Sequence, residues 1–105
     1  MTSLPPAGFL GLTATLLGIG LFGILTRRNF ILLLISVEIA MNAAILNFVY
    51  FAAFGGTPGA LSGQSIAVVL VGLAATEVAV GLAIVLALNR SRGSINVAEA
   101  ADLRL

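Results

Sequence analysis

The chain has 105 residues, 60% hydrophobic and only 9% charged, with a mean hydropathy of +1.18. Soluble domains carry about 25% charged residues, so a chain this poor in charge cannot clothe a water-facing surface, and lipid is the alternative solvent. It has no cysteine, histidine or lysine, which excludes disulfides and removes the usual ligands of haem, iron–sulfur and zinc sites; five arginines against four acids are too few for a nucleic-acid footprint.

Three segments reach the roughly 20 apolar residues that a bilayer-crossing helix needs. The first, residues 7–25, holds no charge, and no basic stretch precedes it, so it reads as a span rather than a cleaved signal peptide. It is rich in small residues, and Gly11, Thr15, Gly18 and Phe22 fall on one helical stripe. Such a stripe predicts a seam where helix backbones approach closely in lipid. The turn TRRN follows, in which Asn29 is placed to cap the next helix.

The second span, residues 30–54, is interrupted by Glu38, with Asn42 one helical turn later. The segment GGTPGALSG then breaks the helix and reverses the chain through its glycines and Pro58. The third span, residues 64–88, is interrupted by Glu77. Residues 89–105 read as a polar tail. The expectation is one small all-α membrane domain, residues 1–105, with three transmembrane helices and no internal repeat.

The arginines orient it. Arg27 and Arg28 lie in the first loop, Arg90 and Arg92 follow the third span, and Arg104 is in the tail. With three spans all five share one side, which the positive-inside tendency makes the cytoplasm. The N-terminus is then outside and the C-terminus cytoplasmic.

A charged acid at a helix centre costs about 2.5 to 3.5 kcal/mol on insertion scales, while each Leu, Ile, Val or Phe returns roughly 0.3 to 0.6 kcal/mol. Insertion is therefore permitted, but glutamine or alanine would insert more easily. Intramembrane ionisable residues are read as functional by default for this reason. Counting from the arginines, Glu38 lies about 15 Å and Glu77 about 20 Å into the membrane at the helical rise. Both fall near the midplane of a hydrocarbon core about 30 Å thick.

Asn42, at i+4, can donate a hydrogen bond to Glu38 on the same face. Glu77 has Leu73 and Gly81 on its stripe and no side-chain partner of its own. Either the carboxyls are protonated or a cation from another chain pairs with them. Both arrangements let a neighbour control the proton, which is what a proton relay requires; the plainer role is hydrogen-bond glue between helices. Asn42, Asn47, Ser36 and Thr76 read as interhelical hydrogen-bonding residues.

The stretches LTRRNFILLLISVEIAMNAAILNFV, GQSIAVVLVGLAATEVAVGLAIVLAL and SINVAEAADLRL resemble the small K-type membrane subunit of respiratory complex I, the NADH:quinone oxidoreductase. The resemblance covers residues 18–105, about four-fifths of the chain. RRN, VEIAMNA and ATEVAVGLAIV are its most specific parts. Ala40 and Ile45 depart from the family pattern, and the second loop is short and uncharged.

The resemblance implies three spans with the N-terminus outside, in a bacterial inner (plasma) membrane. It also implies proton translocation through Glu38 and Glu77, with Arg27 and Arg28 in a loop tied to coupling or assembly. No cofactor is expected in this chain; NADH, FMN, iron–sulfur clusters and quinone would belong to other subunits. The expected partners are the quinone-site subunit, adjacent small subunits, antiporter-like subunits and the lipid bilayer. A photosynthetic-type complex using ferredoxin carries a closely similar subunit.

Three other readings compete. A small subunit of a multisubunit cation/proton antiporter resembles the second span but lacks the third-span glutamate. A small multidrug transporter has similar length but needs four spans. A purely structural assembly subunit would tolerate loss of both glutamates.

Overall fold

The computed structural model describes residues 5–55, 60–93 and 95–100. Three long helices, α1 (Pro6–Thr26), α2 (Phe30–Phe54) and α3 (Ala60–Arg92), are followed by one short turn of helix, α4 (Val97–Ala100). All three long helices are apolar and long enough to cross a membrane. The all-α architecture with three such helices among the described residues is therefore that of the structure. Pro58 and Arg104 lie outside the described residues.

Pro6 opens α1 at a position where a missing N–H costs nothing. At α2 the predicted cap is present: Asn29 Oδ1 accepts from the amides of Ile31 at 2.9 Å and Leu32 at 3.4 Å. Gly55 ends α2 with its N–H donating to Phe51 O. α3 starts earlier than expected, at Ala60 rather than residue 64. Gly63 was read as loop, but it packs against Ala52 of α2, where a Cβ would come within 2.9 Å of the alanine methyl. That close approach explains a glycine inside a helix better than a turn does.

α2 is the central element. Its Ser36, Ala40, Ala43, Asn47 and Tyr50 face α1, while Leu34, Met41, Ile45, Phe48 and Ala52 face α3. At 100° per residue these two sets lie on nearly opposite sides of the helix. The α1 seam runs through Phe9, Thr13, Gly20 and Gly23. The expected stripe of Gly11, Thr15, Gly18 and Phe22 does not form it: a Cβ at Gly11 or Gly18 would meet nothing within 4 Å, and Phe22 is 63% exposed. Small residues occur on both sides of α1, and only the bulk offered by α2 selects between them.

Little of the surface is covered within the chain. Only 17% of the spanning windows of α1 and α2, and 11% of that of α3, is buried. The remaining apolar surface needs lipid or other chains as its solvent.

The polar end of the bundle is tied together. Phe30 N–H donates to Ile95 O at 3.0 Å, and Val97 N–H donates to Arg28 O at 2.7 Å. Asn29 and Asn96 form the antiparallel bridge between these bonds. The start of the tail thus folds back on the first loop instead of leaving as a free polar segment. The reversal is made by Gly93, at φ +68°, whose N–H returns to Asn89 O.

Candidate functional site

Two contacts set the register of α2 against α3. Leu34 meets Gly81 near the arginine-bearing end, and Ala52 meets Gly63 toward the other. Each step forward along α2 between them is matched by one step back along α3. Glu38 lies four residues beyond Leu34, and Glu77 lies four residues before Gly81. The register therefore sets the two glutamates at the same level of the membrane, on the facing stripes of adjacent helices.

The depths counted from the arginines differed by one helical turn, and the register explains why. The residue level with Arg28 is Ala87, so Arg90 stands about 4.5 Å further out. Counting from Arg90 overstates the depth of Glu77 by that amount.

The two carboxyls have different surroundings. Glu38 is half-buried, and its Oε1 is fully buried with no hydrogen-bond partner. Next to it the seam holds Met41, Ile45, Ala67, Leu70 and Ala74 in one apolar cluster. Glu77 is exposed and lines a groove of about 380 Å³ with Leu34, Val37, Val80 and Ile84. One carboxyl is thus held inside the helix pair and the other stands on its rim. No group of three or more potential metal ligands exists among the described residues.

The supporting residues divide. Asn42 is exposed and gives Glu38 Oε1 no hydrogen bond, contrary to the expected i+4 pairing. The stripe that carries Glu38 turns toward α3, while Asn42 falls beyond its edge. Asn47 does bond across helices, accepting from the Thr13 hydroxyl at 2.9 Å. Ser36 and Thr76 do not: Ser36 donates to Leu32 O, and Thr76 donates to Gly72 O and Leu73 O, all within their own helices. A hydroxyl one turn from a backbone carbonyl finds it before it finds another helix.

Thr13, 2% exposed, was not singled out from the sequence. Its signal was a polar residue in an apolar span, spaced to meet Asn47 once α1 and α2 run antiparallel. Arg27 and Arg28 are exposed at the polar end beside Ile95 and Asn96. They are far along α2 from Glu38, ten residues from Arg28, and do not reach the glutamate pair.

The chain is similar to known proteins along nearly its whole length. The family model for NADH-ubiquinone/plastoquinone oxidoreductase chain 4L matches residues 8–104, so the similarity extends through α1 as well. The chain is 50% identical over 96 residues to the NADH-quinone oxidoreductase subunit K of Anaeromyxobacter sp. (strain K), covering 91% of this chain and 94% of that one. It is 44% identical over 104 residues to the subunit K of Bacillus anthracis (strain CDC 684 / NRRL 3495), covering 99% of each. The subunit K of Geobacillus sp. (strain WCH70) is 43% identical over 99 residues, 94% of each chain. With three apolar helices long enough to span a membrane and similarity along nearly its whole length, the chain belongs to the NADH-ubiquinone/plastoquinone oxidoreductase chain 4L family.

Proposed function

We propose that this chain is a proton-translocating membrane-arm subunit of a bacterial NADH-quinone oxidoreductase, and that Glu38 and Glu77 relay the proton. The observation that carries the reading is the α2–α3 register, which sets two carboxyls level in the membrane, one of them with a buried oxygen lacking any hydrogen bond. A buried oxygen left unsatisfied is costly, and stability alone would favour an apolar residue there. Glu38 is the inner station, with its Oε1 buried at the α2–α3 seam. Glu77, on the rim, meets whatever covers the groove.

Among the described residues neither carboxyl has a cation beside it, since the described arginines all stand at the ends of the spans. In this reading a side chain of a neighbouring subunit faces Glu77 across the groove. Coupling follows if that neighbour moves or changes charge during quinone reduction: a cation brought to Glu77 favours its ionised form and releases the proton, and its withdrawal favours uptake. The neighbours are the quinone-site subunit, adjacent small subunits and antiporter-like subunits. NADH, FMN, iron–sulfur clusters and quinone are held by other subunits, and this chain supplies proton chemistry to that enzyme without a redox group of its own. The chain spans the inner (plasma) membrane with its N-terminus outside and its arginines cytoplasmic. Arg27 and Arg28 serve topology, and coupling or assembly.

The test is proton pumping by the assembled complex in closed vesicles. Glu38→Gln is expected to leave the complex assembled and to lower NADH-driven acidification at least tenfold, the loss typical of a removed proton-transfer group being about 10²-fold or more. Glu77→Gln is expected to lower it as well, because the rim carboxyl is the second station of the same relay. Full pumping with both residues replaced would leave the chain as an assembly subunit only.

A further inference from the structure

The first loop and the returning tail enclose a polar cleft of about 500 Å³, lined by Arg27, Arg28, Asn29, Leu32, Ile95 and Asn96. We propose that this cleft binds a phosphate group, and that an anionic lipid headgroup in the arginine-bearing leaflet supplies it. The inference is independent of the proton-relay reading.

Four observations lead to it. First, Arg27 and Arg28 are both exposed and line the cleft together. Guanidinium matches phosphate with paired N–H donors. Second, the cleft is built rather than incidental. The tail is pinned at both edges of the Asn29–Asn96 bridge by the bonds from Phe30 to Ile95 and from Val97 to Arg28.

Third, the donors are the arginines and not the helix terminus. All of the first amides of α2 are already used: Phe30 by Ile95 O, Ile31 and Leu32 by Asn29 Oδ1, and Leu33 by Asn29 O. The amide of Ala98 is likewise taken by Asn96 Oδ1. Fourth, the cleft sits where α1 and α2 leave the apolar span, and Leu32 and Ile95 give it an apolar wall. A headgroup meets charge above and hydrocarbon below at that level. Basic pockets between membrane helices bind anionic headgroups by this chemistry.

The test uses the full chain in neutral detergent micelles, with bound lipid counted by native mass spectrometry against added dioleoyl phosphatidylglycerol, dioleoyl phosphatidylcholine or inorganic phosphate. One phosphatidylglycerol is expected to be retained in preference to phosphatidylcholine. Replacing both Arg27 and Arg28 by Gln is expected to weaken that retention at least about tenfold, since each basic residue contributes substantially near an anionic surface. Replacing Arg90 and Arg92 by Gln removes the same charge from the same end but outside the cleft, and is expected to change retention by less than about threefold.

Val97→Pro removes the N–H that holds the tail while leaving every arginine in place, and is expected to weaken retention as well. Circular dichroism of each variant in the same micelles verifies the three helices. Equal loss in the two arginine pairs would reduce the effect to diffuse charge and overturn the site. So would equal retention of the two lipids, or unchanged retention in Val97→Pro. Displacement of phosphatidylglycerol by millimolar inorganic phosphate would overturn the lipid as the source of the phosphate.

Discussion

Gly20 and Gly23 bring α1 and α2 to backbone contact. A Cβ at Gly20 would lie 2.8 Å from the Ala40 methyl, the Ala40 amide and the Ser36 carbonyl. Two of those atoms are backbone and cannot turn aside. Ala40 is thus the small partner that this glycine requires. At Gly23 a Cβ would collide with the Ser36 hydroxyl. Gly18, on the same helix, meets nothing within 4 Å. We expect Gly20→Leu to destabilise the isolated chain by about 1 to 3 kcal/mol, the usual cost of overpacking. Gly18→Ala should be neutral or stabilising by up to about 1 kcal/mol, because alanine is the better helix former. Thermal unfolding of both variants in micelles checks the pair; equal effects would refute the assignment of the seam. The Thr13–Asn47 bond lies in the same seam and is worth roughly 0.6 kcal/mol, as such bonds average in membranes. It pins orientation more than it adds stability.

Among the elements, α3 is longer than a membrane needs. Its 33 residues extend about 50 Å, against a hydrocarbon core of about 30 Å. The excess carries Asn89, Arg90 and Arg92 clear of the apolar layer, and Gly93 then turns the chain back toward the first loop. That turn needs the left-handed conformation that glycine adopts freely and a side chain resists. Gly93→Ala should therefore leave the three spans intact but release the tail. Hydrogen exchange at the Val97 amide, which donates to Arg28 O, is the measurement. Faster exchange at Val97 with unchanged exchange in mid-α2 is expected, by about fivefold for a strain near 1 kcal/mol. Unchanged protection at Val97 would show that the docking does not depend on the turn.

At the scale of the whole molecule, α2 lies between two helices that pack on its opposite sides, and the two seams do different work. The α1 seam is built from glycine, alanine and one polar bond. The α3 seam holds the glutamate stripe, closed by Ile45, Ala67 and Ala74. The register of that second seam is the basis of the functional reading, and it can be checked without background because the chain has no native cysteine. Leu34→Cys with Gly81→Cys, and Ala52→Cys with Gly63→Cys, should each form a disulfide under mild oxidation. Leu34→Cys with Leu73→Cys, two turns out of register, should not. Efficient cross-linking of the displaced pair would separate the glutamates in depth and remove the main support for the relay.

The amino-acid sequence by itself determined the three spans, the cap at Asn29, the collection of arginines at one end and the presence of two intramembrane carboxyls. Each depends on hydropathy, local hydrogen bonding or charge count, and all of these are properties of short stretches. Tertiary structure alone decided which face of α1 is used, because glycines stand on both faces and only the shape of α2 discriminates. It also decided that Asn47 bonds to Thr13 while Ser36 and Thr76 turn to their own backbones, and that Asn42 gives Glu38 Oε1 no hydrogen bond. The tail's return to the first loop depends on backbone amides, which every residue but proline carries and which therefore leave no mark in the side-chain pattern. The level of the glutamates needed both sources. Their positions along each helix are read from the sequence, and only the contact of Leu34 with Gly81 and of Ala52 with Gly63 brings the two helices into one register.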